Sequence, residues 1–167
     1  GFFSFNMETL EKIYQLYSKR HTISTDSRKI EKDCVFVALK GEHFDGNDFA
    51  YQVACEGIAS CVIADRKDLP THERLFIVDD SLETLQHLAS FHREKCNIPI
   101  IGITGTNGKT TTKELVSTVL SKKYNIIYTQ GNFNNHIGVP LTLLRIKPDT
   151  ELAVVEMGAN HPGEIAQ

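Results

Sequence analysis

The run IPIIGITGTNGKTTTKELVSTVLSKK, from Ile98 to Lys123, constrains this chain more than any other feature. Its apolar opening has the length of a buried strand, its middle is a glycine-rich turn, and its end is periodic and free of breakers, as a helix requires. A strand that passes through such a turn straight into a helix brings several backbone N–H groups and the positive end of the helix dipole to one point. That point suits a phosphate. Gly105 and Gly108 let the backbone approach it, Lys109 reaches toward β- and γ-phosphate oxygens, and the Thr110 hydroxyl is placed to ligate Mg2+. The expected nucleotide-binding residues are therefore Gly105, Thr106, Asn107, Gly108, Lys109, Thr110 and Thr111. The strict pattern GxxxxGK[ST] would put glycine at position 103, where Ile103 stands, so the inference rests on the strand, loop and helix context and on the Lys-Thr pair.

Around this unit the chain reads as α/β. Leu10, Ile13, Leu16 and Tyr17 recur at helical spacing between Met7 and about Arg20. After the polar run HTISTDSR come a strand at CVFVAL, a turn-rich loop at GEHFDGND and a helix at FAYQVACE that Gly57 stops. ASCVIA and LFIV are short strands, and Asp80 or Ser81 caps a helix that runs to about Lys95. Asn97 and Pro99 then mark a break. Beyond the phosphate loop and its helix, NIIYT is a strand, QGNFNNHIGVP a loop rich in asparagine, LTLLR an apolar segment, and ELAVVEM a strand closing on Glu156. We expect a small α/β domain over residues 1–97 and the beginning of a parallel-sheet ATPase domain over 98–167.

Composition excludes several function classes. A net charge of −3 with 23% charged residues gives no general grip on a polyanion, so no nucleic-acid partner is expected. No stretch approaches the ~20 apolar residues of a membrane span. Cys34, Cys55, Cys61 and Cys96 lack zinc spacing and sit among apolar residues, which predicts reduced core thiols and a cytoplasmic location. His21, His43, His72, His87 and His92 show no metal spacing and are expected at the surface, while Asp79 and Asp80 read as a helix cap.

GITGTNGKTTT resembles the ATP-binding signature of the Mur ligases and of their folylpolyglutamate synthetase relatives. TDSRKI with VFVALKGEHFDGNDF is similar to the uridine-nucleotide domain of that family, and GNFNNHIGVPLTLL and VVEMGANHPGEI resemble the member that adds a dipeptide. The resemblance implies an ATP- and Mg2+-dependent ligase that joins D-alanyl-D-alanine to UDP-N-acetylmuramoyl-tripeptide through an acyl phosphate, in peptidoglycan precursor synthesis. It gives Lys109 and Glu156 catalytic roles and makes Thr110, Glu156 and His161 metal ligands. Ser27 and Arg28 become contacts of the uridine diphosphate part, and Asn134 and Asn135 further substrate contacts. On composition alone TDSR is a solvated loop and the asparagines are turn formers. Members that resemble this chain usually carry histidine where Asn47 stands, so no role passes to that position. Alternative readings are the ligase that adds the third amino acid to the same precursor, a folylpolyglutamate-type enzyme, or a stand-alone module for UDP-sugars or nucleotides. Family members are longer, so these 167 residues alone are expected to be inactive.

Overall fold

The computed structural model describes residues 6–158, which divide into two compact units, one ending at Leu88 and the other beginning at Ala89. In the first unit, α1 (Met7–Tyr17), β1 (Ile23–Ser24), β2 (Val35–Val37), α2 (Asn47–Glu56), β3 (Cys61–Ala64) and β4 (Leu75–Ile77) follow one another, and α3 (Ser81–Cys96) begins. The strands form one parallel sheet in the order β1-β2-β3-β4.

All three residues of β2 and all four of β3 are buried. Burial of consecutive residues means that both faces of the sheet are covered, as parallel strands require and as the unbroken apolar run CVFVAL anticipates. Against one face lie Ala50, Val53 and Ala54 of α2, packed on Phe36, Ala38, Val62 and Ala64. Leu10, Ile13 and Tyr17 of α1 and Leu85 and Leu88 of α3 are buried as well. The helix starts are fixed locally: the Asn6 side chain accepts from Thr9 N–H at 3.2 Å, and Asp80 Oδ1 accepts from Glu83 N–H at 2.8 Å.

The sequence reading misses β1. It lies in the polar run HTISTDSR, is two residues long, and is held to β2 by ladder bonds such as Val35 N–H to Thr22 O at 2.9 Å. So short a strand has no hydrophobic periodicity to announce it.

In the second unit β5 (Ile100–Ile103), α4 (Lys109–Leu120), β6 (Ile126–Tyr128), α5 (Gly138–Leu143) and β7 (Leu152–Glu156) follow the end of α3. The sheet order is β5-β7-β6, all parallel, so the last strand lies between the other two. Ala153 and Val155 of β7 with Ile146 form the core, joined by Cys96, Ile98, Ile100, Ile127, Val139 and Leu143. The expected apolar segment LTLLR lies largely within the short helix α5.

Two surface-or-core expectations change. His92 is buried, its Nε2 2.8 Å from the carbonyl oxygen of Ile146, because the C-terminal part of α3 packs within the second unit. That packing also places the division between units inside α3, ahead of the break at Asn97. Of the four cysteines, Cys34 and Cys61 are buried, Cys96 is half-buried, and Cys55 is exposed on the outer side of α2. Burial pushes the Cys61 thiol up to about 12.

Gly46, at the start of α2, sits against the backbone that follows β2. A Cβ there would stand 2.9 Å from Ala38 Cα and 3.0 Å from both the N and O of Leu39. Backbone atoms cannot rotate away as a side chain would. Gly46→Ala is expected to cost about 1–3 kcal/mol, read as a lowered denaturation midpoint with an unchanged m-value. An unchanged midpoint would show that this approach is looser than the distances indicate.

Candidate functional site

In the register of the second sheet, Ile103 at the end of β5 pairs with Glu156 at the end of β7. The glycine loop leaving β5 and the acid closing β7 therefore meet at the carboxyl edge of the sheet, where open parallel sheets hold ligands. Gly108 has φ 76° and precedes α4 with no side-chain cap, and α4 has no acid in its first turn. The N–H groups that begin the helix thus face the loop without a carboxylate of their own, which favours an anionic ligand. Thr106, Asn107 and Thr111 are exposed around this turn, and the Lys109 ammonium donates to the Gly105 carbonyl oxygen at 2.5 Å, lying across the loop.

Glu156 is 1% exposed, yet every side of it is engaged. Its backbone N–H donates to Thr129 Oγ1 at 2.9 Å. The Thr110 hydroxyl donates to its carboxylate, 3.2 Å from Oε1 and 3.3 Å from Oε2, and Asn134 Nδ2 donates to Oε1 at 2.9 Å. Lys113 Nζ lies 3.8 Å from Oε2. A hydroxyl and a carboxylate that converge beside an anion-binding loop are hard oxygen donors of the kind Mg2+ takes in partnership with phosphates. Among the described residues, no cluster of three or more His, Cys, Asp or Glu side chains offers a metal cage of its own.

Lys113 and Thr129 are absent from the sequence-based site. Lys113 is 0% exposed and donates to the Gly131 carbonyl oxygen at 2.9 Å, with Glu114 Oε1 at 3.1 Å. It shares the buried face of α4 with Ser117, while Leu115 and Val119 are exposed, so the apolar pattern of the helix gave no signal for it. Thr129 ends the apolar run NIIYT with a hydroxyl, a weaker signal.

The asparagine loop divides its labour. Asn134 points its amide at Glu156, and its carbonyl oxygen accepts from Gly158 N–H at 2.7 Å. Asn135 Oδ1 accepts from the N–H groups of Ile137 at 3.2 Å and Gly138 at 2.8 Å, which starts α5. His161 lies outside the described residues.

In the first unit, Arg28 and Asp26 form a two-pronged pair within the TDSR loop: Nε to Oδ1 and Nη2 to Oδ2, each 2.9 Å. Ser27 between them is half-buried. The Arg28 side chain and backbone N–H bond the Asp26 carboxyl and hold it down at about 2. The adjoining turn closes as expected, with Gly41 N–H on Phe44 O at 2.8 Å and a bridge between Lys40 and Asp45. Asn47, to which no role was assigned, is buried at its base. Its Nδ2 donates to Asp45 Oδ1 and Asp65 Oδ1, both 2.8 Å, while its Oδ1 accepts from the N–H groups of Asp65 at 3.1 Å and Arg66 at 3.3 Å.

A cleft of about 520 Å³ in the same unit is lined by Asn6, Leu10, Ile77, Asp79, Asp80 and Glu83. Its three acids would repel a diphosphate, so size alone does not make it the nucleotide site.

Two family descriptions match the chain. Residues 19–93 match "Mur ligase family, catalytic domain", and residues 103–167 match "Mur ligase middle domain", which begins where β5 ends. The chain belongs to the Mur ligase family. Among curated Mur ligases, UDP-N-acetylmuramoyl-tripeptide–D-alanyl-D-alanine ligase of Bacillus subtilis is 46% identical over 87% of this chain and 32% of its own length. The Escherichia coli enzyme of the same name is 43% identical over 86% of this chain and 31% of its own. The crystal structure of MurF ligase from Thermotoga maritima in complex with ADP superimposes with a TM-score of 0.79 at 37% identity, covering 90% of this chain and 34% of that one. MurF from Acinetobacter baumannii gives 0.75 at 39% identity, over 85% and 31%. The chain thus spans about a third of the length of the Mur ligases it matches, and its mixed α/β fold with parallel sheets is that of its neighbours.

The Asp26–Arg28 pair of this Mur ligase chain can be read in solution. The Asp26 carboxyl should titrate at about 2 in a carbon-detected NMR series and return toward its ordinary value of ~3.9 in Arg28→Ala. An ordinary value in the unaltered chain would mean that the pair is not formed.

Proposed function

We propose that this chain is part of an ATP-dependent, amide-forming ligase that adds D-alanyl-D-alanine to UDP-N-acetylmuramoyl-tripeptide for peptidoglycan precursor synthesis. The observation that carries the reading is the meeting of Thr110 and Glu156 at 3.2 Å beside the glycine loop. The names of the relatives support the choice of substrates. We place the protein in the cytoplasm, in keeping with its free thiols. Among the described residues no helix is long and apolar enough to cross a membrane. We set the domain boundary at Asn97, the residue that follows α3, between the two family matches.

A free carboxylate is a poor acyl donor, because its oxygen leaves badly. In the proposed reaction the terminal carboxylate of the tripeptide attacks the γ-phosphorus of ATP, an O–P bond forms, and the bond to the β-phosphate oxygen breaks to release ADP. The amine of D-alanyl-D-alanine then adds to the acyl carbon, and inorganic phosphate departs with the electron pair of the old C–O bond. Gly105, Thr106, Asn107, Gly108 and Thr111 cradle the phosphates, and Lys109 turns its ammonium from the Gly105 carbonyl to the transferred group. Thr110 and Glu156, with His161 as a further candidate ligand, would hold Mg2+, which when bound would supply positive charge to the phosphate oxygens. Ser27 and Arg28 hold the uridine diphosphate part, with Arg28 exchanging the Asp26 carboxylate for a phosphate of like geometry. Asn134 and Asn135 are the further substrate contacts.

Lys109→Ala in the whole protein should lower ATP-dependent ligation more than tenfold, a loss above ~1.4 kcal/mol, with the fold intact by circular dichroism. Retention of more than a tenth of the turnover would refute the loop's role. Separately, Ser27→Ala with Arg28→Ala should weaken calorimetric binding of UDP-N-acetylmuramoyl-tripeptide, measured without ATP, at least about tenfold. Unchanged affinity would move the uridine diphosphate site elsewhere.

A further inference from the structure

Lys113 is a fully buried cation for which the proposed reaction has no use. It stands on α4, the helix that begins at the phosphate loop, and donates to the Gly131 carbonyl oxygen at 2.9 Å. On its other side Glu156 Oε2 lies at 3.8 Å, and the same carboxylate receives Thr110 from the first turn of α4. Glu114 Oε1, at 3.1 Å and half-exposed, is the third group around the ammonium. Burying a lysine is costly unless its charge and donors are used, and here the donors reach the asparagine loop while the charge faces the candidate metal ligand.

Gly131 lies in the segment 130–137, which has no helix or strand of its own. Within this segment, backbone bonds run over short spans: Phe133 N–H to Gln130 O at 3.2 Å and Asn134 N–H to Asn132 O at 2.7 Å. Such turns do not fix a loop against its surroundings. Among the described residues, Lys113 at Gly131 and Asn134 at Glu156 link this loop to the elements around the glycine loop, and Gly158 N–H holds the Asn134 carbonyl oxygen at 2.7 Å just beyond β7. Among the described residues, Lys113 joins the loop backbone directly to α4, and its ammonium lies 3.8 Å from the carboxylate to which Thr110 donates.

We propose that Lys113 is a positioning residue that couples the two loops: occupancy of the phosphate site, felt at Thr110 and Glu156, fixes the backbone of the asparagine loop through the ammonium held between Glu156 and Gly131. This rests on the phosphate-loop reading above. It adds that filling the nucleotide site prepares the loop that carries Asn134 and Asn135, with Lys113 as the physical link. A merely structural lysine would stabilise the fold but leave the ligand response of the loop unchanged.

The test is hydrogen exchange of the whole protein with and without ADP and Mg2+, followed by mass spectrometry at peptide resolution. In the unaltered protein the nucleotide should slow exchange both at 105–112 and at 130–137, about tenfold at the latter. Lys113→Met should keep the protection at 105–112 and lose it at 130–137. If Lys113→Met does not fold by thermal unfolding, Lys113→Gln, which keeps a buried amide without the charge, is expected to give the same loss. Asn134→Ala, a half-exposed truncation, should leave the response at Gly131 in place. Equal protection of 130–137 in a folded Lys113 variant and the unaltered protein overturns the inference, as does loss of the response in Asn134→Ala alone. Absence of protection at 105–112 in the unaltered protein would instead sink the phosphate-loop reading.

Discussion

The second unit is organised around one buried carboxylate. Glu156 ends an apolar strand in the middle of its sheet, where an unpaired charge would be costly, and three side chains meet its carboxylate while a fourth takes its backbone N–H. Thr129 takes its backbone N–H, Thr110 and Asn134 donate to its oxygens, and Lys113 supplies the opposite charge. Each partner comes from a different segment: the end of β6, the start of α4, the asparagine loop and the body of α4. The demand of one acid for partners therefore ties down the elements that surround the glycine loop, and the same ties leave a hydroxyl and a carboxylate side by side at its mouth.

A neutral counterpart appears in the first unit. Asn47 uses both hydrogens of its amide and both lone pairs of its oxygen, joining the Asp45 turn to the end of β3. Arg66 completes the knot by bonding Asp45 and Asp48 at 2.9 and 2.7 Å. Burial raises the Asp45 carboxyl, but bonds from Asn47 and Arg66 outweigh it and hold the group below its ordinary value. A saturated amide of this kind rigidifies a turn without placing a charge in the interior.

Much of this was legible in the sequence, and what was legible shares a cause. Buried parallel strands are continuous apolar runs, so β2, β3 and β7 announce themselves; β5 is an apolar run too, but it is half-buried at Ile100 and Ile103 and exposed at Ile101 and Gly102. Gly57, Asp80 and Gly108 punctuate helices through backbone chemistry that sequence carries directly. The glycine loop and the strand-end Glu156 were readable because strand, loop and strand end lie within local patterns. What escaped depends on distance in space. Lys113 looks like one more solvated lysine until the fold turns its face inward, and His92 becomes internal because Ile146 offers it a carbonyl 54 residues away. Arg28 was expected at a uridine diphosphate; in the structure its fork grips its own neighbour, Asp26.

The order β5-β7-β6 also bears on how the second unit comes into being during synthesis. β5 and β6 do not pair with each other; each pairs with β7, the last of the three to leave the ribosome. Until residues 152–156 emerge, the glycine loop hangs from a strand with no neighbour, and the two earlier strands present open edges to whatever lies near. Insertion of β7 closes both edges in one step and delivers Glu156 to Thr110, Asn134 and Lys113 together. The glycine loop's surroundings and its supporting sheet are thus completed by the same event, so a nascent chain arrested before Glu156 would carry the loop sequence without the platform that gives it shape.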